Sequence, residues 1–211
     1  MSKPAGFVVH KSAMARDRIV VLQAVRDAIG KHLYPVHRLD RGTSGVLLFA
    51  LDPDAARHFH ASFDAGLSRK VYRAIVRGDF GAVAGSEPLL VDYPVPKDED
   101  SEKVPAQTTF FLEESFGWCS LVRAEPATGR FHQIRRHLSH LRHPLANDTN
   151  YGTGWFNRKV RSDLGLSRMA LHASSLTIPH PDGGMLMVED RAPEDFAEAL
   201  RRLRESSLRP Q

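Results

Sequence analysis

Two stretches of this chain combine residue types that can do chemistry. The first is His37-Arg38-Leu39-Asp40-Arg41-Gly42-Thr43-Ser44-Gly45, in which one carboxylate, Asp40, lies between the guanidinium groups of Arg38 and Arg41. Neighbouring Arg charges favour the ionised form of a carboxylate, which suits Asp40 to act as a nucleophile rather than as a general acid. The bland alternative is a surface turn holding a weak local ion pair. The second stretch runs from Glu125 to Asp148. No acidic residue lies between these two, whereas Arg130, Arg135, Arg136, Arg142, His132, His137, His140 and His143 do. A local excess of cations is what a phosphate backbone requires, because neutralising phosphates releases counterions. The histidines also raise the question of a metal. However, the residue four after His132 is Arg136, and no Cys or carboxylate completes a ligand set, so no metal is expected.

Local patterns give the elements that must position these groups. The apolar run Val46-Leu47-Leu48-Phe49-Ala50 predicts a buried strand over 46–51, entered through a Gly42-Thr43-Ser44-Gly45 turn. Upstream, residues 7–9 read as a short strand and 11–17 as a polar loop. A helix is expected over 18–29, with Leu22, Val25 and Ile29 on one side, Gly30 as its cap and Pro35 as a stop. After the strand, Asp52-Pro53 reads as N-cap and first helical residue; Ala55, Ala56, Phe59 and Phe63 mark the buried stripe and Gly66 the end. Residues 70–76 predict a strand carrying Tyr72 as a half-buried aromatic, and 107–113 with 118–125 a strand pair turning near Gly117. Between them, 78–105 reads as loop with a short strand near 89–93. In the basic stretch, Phe131, Ile134, Leu138 and Leu141 would share one helical face, leaving Arg135, Arg136 and Arg142 to face a cleft. A strand from 169 to a Pro-Asp-Gly-Gly hairpin turn and a helix over 194–203, with Phe196, Leu200 and Leu203 inward, close the chain.

The composition is that of one globular domain spanning 1–211. Of 211 residues, 42% are hydrophobic and 26% charged, and the net charge is +4 from 29 Lys and Arg against 25 Asp and Glu. No segment is apolar enough to span a membrane, and the first residues lack the apolar run of a signal peptide. The single Cys119 has no partner for a disulfide, which fits a reducing compartment. A cytoplasmic protein is expected. There is no internal repeat or low-complexity tract.

The nine residues from His37 to Gly45 resemble the signature of the RluA-type pseudouridine synthases, whose Asp at the position of Asp40 is the essential catalytic residue. Further segments carry the resemblance from Lys3-Pro4-Ala5-Gly6 to about residue 190. Lys70-Val71-Tyr72 resembles the family's Lys-x-Tyr segment, in which the Tyr lies against the target base. Gly129-Arg130-Phe131-His132-Gln133-Ile134-Arg135 is similar to the segment whose last Arg pairs with the catalytic Asp, so Arg135 is expected to partner Asp40. His143-Pro144-Leu145-Ala146-Asn147-Asp148 with Tyr151-Gly152 departs from the family pattern only in placing Asn147 where relatives have Gly; Asn tolerates positive φ better than most residues. Met169 to Pro181 resembles the strand that floors the site through Leu171.

What the resemblance implies is an α+β fold, a central mixed and largely antiparallel sheet with peripheral helices, and Asp40 in a basic cleft. The activity implied is isomerisation of a uridine in RNA to pseudouridine. The glycosidic bond breaks, the uracil rotates and it rejoins the ribose through carbon, with no redox or group transfer and hence no cofactor. Asp40 would act by adding to the sugar, adding to the base or removing a ribose proton. Asp40, Tyr72 and Arg135 are the implied catalytic residues; Arg38, His37, Lys70, Arg130 and Leu171 are the implied substrate contacts, with Arg38 filling the gap left by a flipped base. Within the family the likeness is nearest to members that modify tRNA, so a monomer acting on the T-stem of tRNA is expected, with ribosomal RNA as the alternative. The chain begins at the Lys-Pro-Ala-Gly segment, so a preceding strand and a separate RNA-binding domain are expected to be missing.

Rival classes find less support. A glycosidase needs a second placed carboxylate, which is not visible near the basic stretch. His-Arg-x-Asp alone hints at a kinase, but no Gly-rich loop or Asp-Phe-Gly accompanies it. A non-catalytic RNA-binding module is the remaining alternative, should Asn147 or the short N-terminus disable catalysis.

Overall fold

A computed structural model describes residues 1–10, 19–99 and 101–207. The elements in chain order are β1 (Ser2–Lys3), α1 (Val21–Ile29), β2 (Tyr34–Pro35), β3 (Ser44–Val46), β4 (Phe49–Ala50), α2 (Pro53–Asp64), β5 (Arg69–Arg77), α3 (Gly81–Ala84) and β6 (Leu89–Asp92). There follow β7 (Val95–Pro96), β8 (Lys103–Val104), β9 (Gln107–Ser115), β10 (Cys119–Pro126), α4 (Gln133–His140), α5 (Gly154–Lys159) with a π-helical continuation over Val160–Leu164, β11 (Leu171–Pro179), β12 (Met185–Glu189) and α6 (Glu194–Ser207). The class is α+β, with mixed, largely antiparallel sheet and helices, as expected. The chain folds into two compact units, Met1–Lys70 with Ala173–Arg191, and Val71–His172 with Ala192–Gln211.

In the first unit the strand order is β1-β3-β11, with β12 on the other edge of β11, and β2 and β4 form a separate pair. Val36, Val46, Ala50, Ala56, Phe59, Leu176 and Ile178 make its core. Asp52 caps α2 as predicted, its Oδ1 accepting from the Ala55 amide at 2.8 Å, and Pro53 opens the helix, where a missing N–H costs nothing. Three expectations need correction. Residues 7–9 form no strand; Val8 makes one parallel bridge to Val20, and the Val8 and Val9 carbonyls accept from the first amides of α1. The helix begins at Val21 rather than 18, and Ile29, expected on the buried side, is exposed; Gly30 does cap it in the left-handed region. The run 46–51 is not one strand. It breaks at Leu47 and Leu48, whose amides are taken by the Met1 carbonyl and by His37 Nε2. The expected loop over 11–17 lies outside the described residues.

The second unit orders its strands β5-β10-β9-β6, all antiparallel, with β7 and β8 as a separate hairpin. Period-two alternation gives this sheet two apolar faces. Ile75, Cys119 and Leu121 lie on one, covered by Phe156, Val160, Phe196, Leu200 and Leu203 from α5, its continuation and α6. Ala74, Val76, Val122 and Ala124 lie on the other, with Ile134 and Leu138 of α4 and with Leu171. The stretch 78–105 is more ordered than its Gly, Pro and acid content implied: besides β6 it holds α3, the β7–β8 hairpin and Phe80, which has no exposed surface. Helix α4 begins at Gln133, two residues later than the apolar pattern suggests, because His132 takes a left-handed conformation with φ of 53°.

Candidate active site

The Asp40 turn is shaped mainly by backbone contacts. The Thr43 amide donates to the Asp40 carbonyl at 3.1 Å and closes a turn that starts two residues earlier than predicted, while Ser44 and Gly45 already belong to β3. A buried cation holds the turn from behind. Lys3 has no exposed surface, and its Nζ donates to the carbonyls of Thr43 at 2.7 Å, Pro4 at 3.0 Å and Arg41 at 3.3 Å. Gly6 adds an amide to the same Arg41 carbonyl at 2.8 Å. Gly45 admits no side chain, since with φ of 118° an added Cβ would lie 2.1 Å from the Ala173 carbonyl oxygen. Asp40 itself is half-buried, Leu39 beside it is buried, and Arg38 and Arg41 are exposed.

His37 fixes the approach to this turn. Its Nε2 accepts the Leu48 amide at 2.9 Å, bridging the two sides of the Asp40 segment. Burial, with the nearby charges of Lys70 and the N-terminus, pushes its imidazole down to about 4. The ring is therefore neutral at pH 7, and its Nε2 is committed to the fold. Lys70 sits 6.0 Å from the centre of the Phe63 ring, within cation–π range.

In the second unit, Tyr72 stands on β5 opposite Ala124 and packs, half-buried, against the cluster that contains Leu171 and the α4 residues Ile134 and Leu138. Tyr72, Leu171 and α4 therefore share one face of that sheet. The structure also shows what holds Arg135. Its Nε and Nη2 donate to Asp148 Oδ2 and Oδ1 at 2.7 and 2.9 Å, and the two side chains are 8% and 0% exposed. Asp148 Oδ1 accepts in addition from the amides of Asn150 at 2.9 Å and Tyr151 at 3.1 Å. Burial alone would raise the Asp148 carboxyl, but the hydrogen bonds and charge of Arg135, helped by those amides, outweigh it and hold the group below the usual carboxylate range.

Sequence reading missed this pair, although one signal pointed to it. Asp148 is the first carboxylate after the acid-free stretch, so it is the nearest anion in the chain downstream of α4. The stretch as a whole is less basic than its composition implied. Arg135 is neutralised; His137 is fully buried between Thr108 Oγ1 and the Tyr93 carbonyl, with burial lowering its pKa; His143 Nδ1 lies 2.7 Å from the Arg77 carbonyl. Of the three arginines expected to face a cleft, Arg135 is buried, Arg136 half-buried and Arg142 exposed.

Gln133, to which the sequence assigns no role, is a staple. Its Nε2 donates to the Gln107 carbonyl and Thr108 Oγ1, while its Oε1 accepts from Thr128 Oγ1 and the Arg130 amide. The loop bearing Arg130 is thereby tied to β9. The Arg130 Nε is enclosed and has no hydrogen-bond partner among the described residues. Asn147 adopts φ of 57°, the conformation that glycine favours, and puts its side chain to use. Nδ2 donates to the carbonyls of Leu166 at 2.7 Å and Arg168 at 3.1 Å, and Oδ1 accepts from Arg161 Nε at 3.1 Å. The departure at Asn147 thus preserves the turn that delivers Asp148.

A family model described as RNA pseudouridylate synthase matches residues 1–140. Two similar proteins are named tRNA pseudouridine synthase C. That of Salmonella typhimurium is 38% identical, with 95% of this chain and 84% of the relative covered. That of Yersinia pestis is 41% identical, covering 87% and 78%. Among solved structures, Human RNA Pseudouridylate Synthase Domain Containing 4 gives a TM-score of 0.76 at 25% identity over 96% of this chain and 88% of the other. Human RNA Pseudouridylate Synthase Domain Containing 1 gives 0.69 at 25% identity over 88% and 83%.

Proposed function

Because this chain belongs to the RNA pseudouridylate synthase family, whose members isomerise uridine in RNA to pseudouridine, we propose that it modifies a uridine in the T-stem of tRNA. The observation that carries the tRNA reading is the 38 and 41% identity, over most of both chains, to proteins named tRNA pseudouridine synthase C. In this reading the whole chain serves as one catalytic domain, working in the cytoplasm as a monomer. Among the described residues no helix is long and apolar enough to cross a membrane.

Asp40 supplies the carboxylate that acts on the nucleoside while the bond between uracil and ribose is broken and remade at carbon. Arg135 pairs with Asp40, Tyr72 lies against the target base, and Leu171 floors the site. Arg38 fills the gap left by the flipped nucleotide, and His37, Lys70 and Arg130 contact the RNA. Several observations support these roles. The segment matched by the family model contains Asp40, Tyr72 and Arg135. Tyr72 and Leu171 belong to one cluster, and the tie to Asp148 fixes the plane of the Arg135 guanidinium, as a directional partner requires. Arg38 is exposed, as a residue that enters RNA must be.

The test is to incubate the protein with unmodified tRNA and ribosomal RNA transcripts and to map pseudouridine in each. One new site in the T-stem of tRNA is expected. Formation in ribosomal RNA alone would refute the tRNA assignment and leave the isomerase standing.

A further inference from the structure

A groove of about 220 Å³ opens in the second unit between the β7–β8 hairpin and α4, lined by Tyr93, Lys103, Arg136, Ser139, His140 and Tyr151 together with the Pro94 to Pro96 segment. Among the described residues no carboxylate lines it. One wall is a preformed stack, with the His140 and Tyr93 rings 3.9 Å apart and 18° from parallel. Lys103 Nζ lies 5.3 Å from the centre of the same Tyr93 ring and 3.4 Å from its hydroxyl. Arg136 lies one helical turn before His140 on the same face of α4, and its guanidinium lies 5.1 Å from the Tyr151 ring and 5.7 Å from the Phe131 ring. Its Nε is enclosed and has no hydrogen-bond partner among the described residues. A donor shut away from water without an acceptor is costly.

Lys and Arg side chains suit phosphate, and a flat ring stack with an exposed edge selects another flat ring. The volume admits a nucleobase. We propose that this groove is a second nucleotide site, which takes one unpaired nucleotide of the substrate RNA other than the target uridine. Its base extends the Tyr93–His140 stack, and Arg136 and Lys103 hold its phosphate. The proposal rests on the reading of the protein as an RNA-modifying enzyme. Tyr151 couples the groove to the Arg135 site, because Arg135 also lies 5.1 Å from the Tyr151 ring and Asp148 accepts the Tyr151 amide. Occupancy would therefore hold the RNA next to the Arg135–Asp148 pair.

The test is the dissociation constant for an unmodified tRNA transcript, measured in an Asp40→Asn background so that binding is read without turnover. His140→Ala should raise it roughly tenfold, the loss expected for removal of a base-stacking ring. His140→Phe keeps a ring and should restore binding, which a role in charge alone would not predict, and an unchanged thermal midpoint in His140→Ala separates the RNA contact from a role in folding. Arg136→Ala should weaken binding and lower the salt slope by about one, while Arg136→Lys keeps the slope. Lys103→Ala, an exposed change on the hairpin, weakens binding without threatening the fold. Changes below twofold in His140→Ala, Arg136→Ala and Lys103→Ala together would overturn the proposal. If the parent binds and modifies a ribosomal RNA transcript instead, the tRNA reading fails and the same variants are scored on that RNA. Absence of any measurable RNA binding by the parent would overturn both.

Discussion

The two regions that carry the candidate catalytic groups are each anchored by a buried cation, and the two cations work differently. Lys3 spends its ammonium on carbonyl oxygens and so fixes a stretch of backbone, the turn from which Asp40 projects. Arg135 spends two nitrogens on one carboxylate and so fixes a side chain, its own. A lysine suits the first task because its three donors point in different directions around a compact charge; an arginine suits the second because its planar fork matches a carboxylate. The proposed catalytic carboxylate sits in the region built on backbone. The region built on a side-chain pair has its functional and structural duties merged in Arg135.

That contrast predicts separable effects on one side and inseparable ones on the other. The largest should come from Asp40→Asn, which keeps shape and removes the anion: pseudouridine formation is lost, while tRNA affinity and the thermal midpoint stay near those of the parent. Residual turnover above about a few per cent of the parent would remove Asp40 from its role. Arg135→Ala should cost both activity and about 3–5 kcal/mol of stability, since it strands the fully buried Asp148 carboxylate. Denaturant unfolding checks this, and Arg135→Ala with Asp148→Ala should lose less than the sum of the single changes. The pair also has a pH signature. Because the Asp148 carboxyl is held below its unfolded value of about 3.9, its contribution is complete above that pH and disappears as pH falls through the lower folded value. In Arg135→Ala burial is no longer outweighed and the carboxyl rises, so the stability gap between parent and variant should shrink as pH falls through that raised value.

Lys3→Met is the matching probe of the backbone anchor. It leaves three carbonyls short of a charged donor, and a loss of about 2 kcal/mol is expected. Turnover should fall further than RNA affinity, because the turn loosens while the basic surface remains; an unchanged turnover number would show that the turn is rigid without Lys3. The smallest effect on binding is expected from Tyr72→Phe, which keeps the ring, whereas Tyr72→Leu should weaken tRNA binding several-fold, the order of one lost stacking contact. Equal losses in the two variants would assign the hydroxyl, not the ring, to RNA binding.

What was legible in the sequence was local. Asp52-Pro53 announces α2 because cap and first turn lie within four residues, and Gly30 ends α1 for the same reason. The motif around Asp40 and the Gly129 to Arg135 segment were readable as a family likeness, and the chemistry with them. The contacts that pin those motifs were not readable, since their partners are remote. His37 reaches Leu48 eleven residues on, Arg135 reaches Asp148 thirteen residues on, and Lys3 reaches Thr43 forty residues on. The split of the 46–51 run follows from two remote claims on its amides, by His37 on Leu48 and by the Met1 carbonyl on Leu47, which no pattern of apolar residues encodes. The basic stretch misled for a related reason: a histidine's type is visible in sequence, but the Thr108 and Tyr93 atoms that enclose His137 are not.

The first unit draws on two separate segments of chain, 1–70 and 173–191, and its core joins Val36, Val46 and Phe59 to Leu176 and Ile178. During synthesis, therefore, the Asp40 turn emerges early but cannot pack until more than a hundred further residues have left the ribosome. In the interval the Val46 to Ala50 segment has apolar side chains exposed and backbone groups unpaired, a condition that invites chaperone binding. Long-range closure of this kind makes folding slow relative to a chain with local contacts. Nascent chains stalled before residue 173 should be protease-sensitive at this turn, and release of 191 onward should protect it.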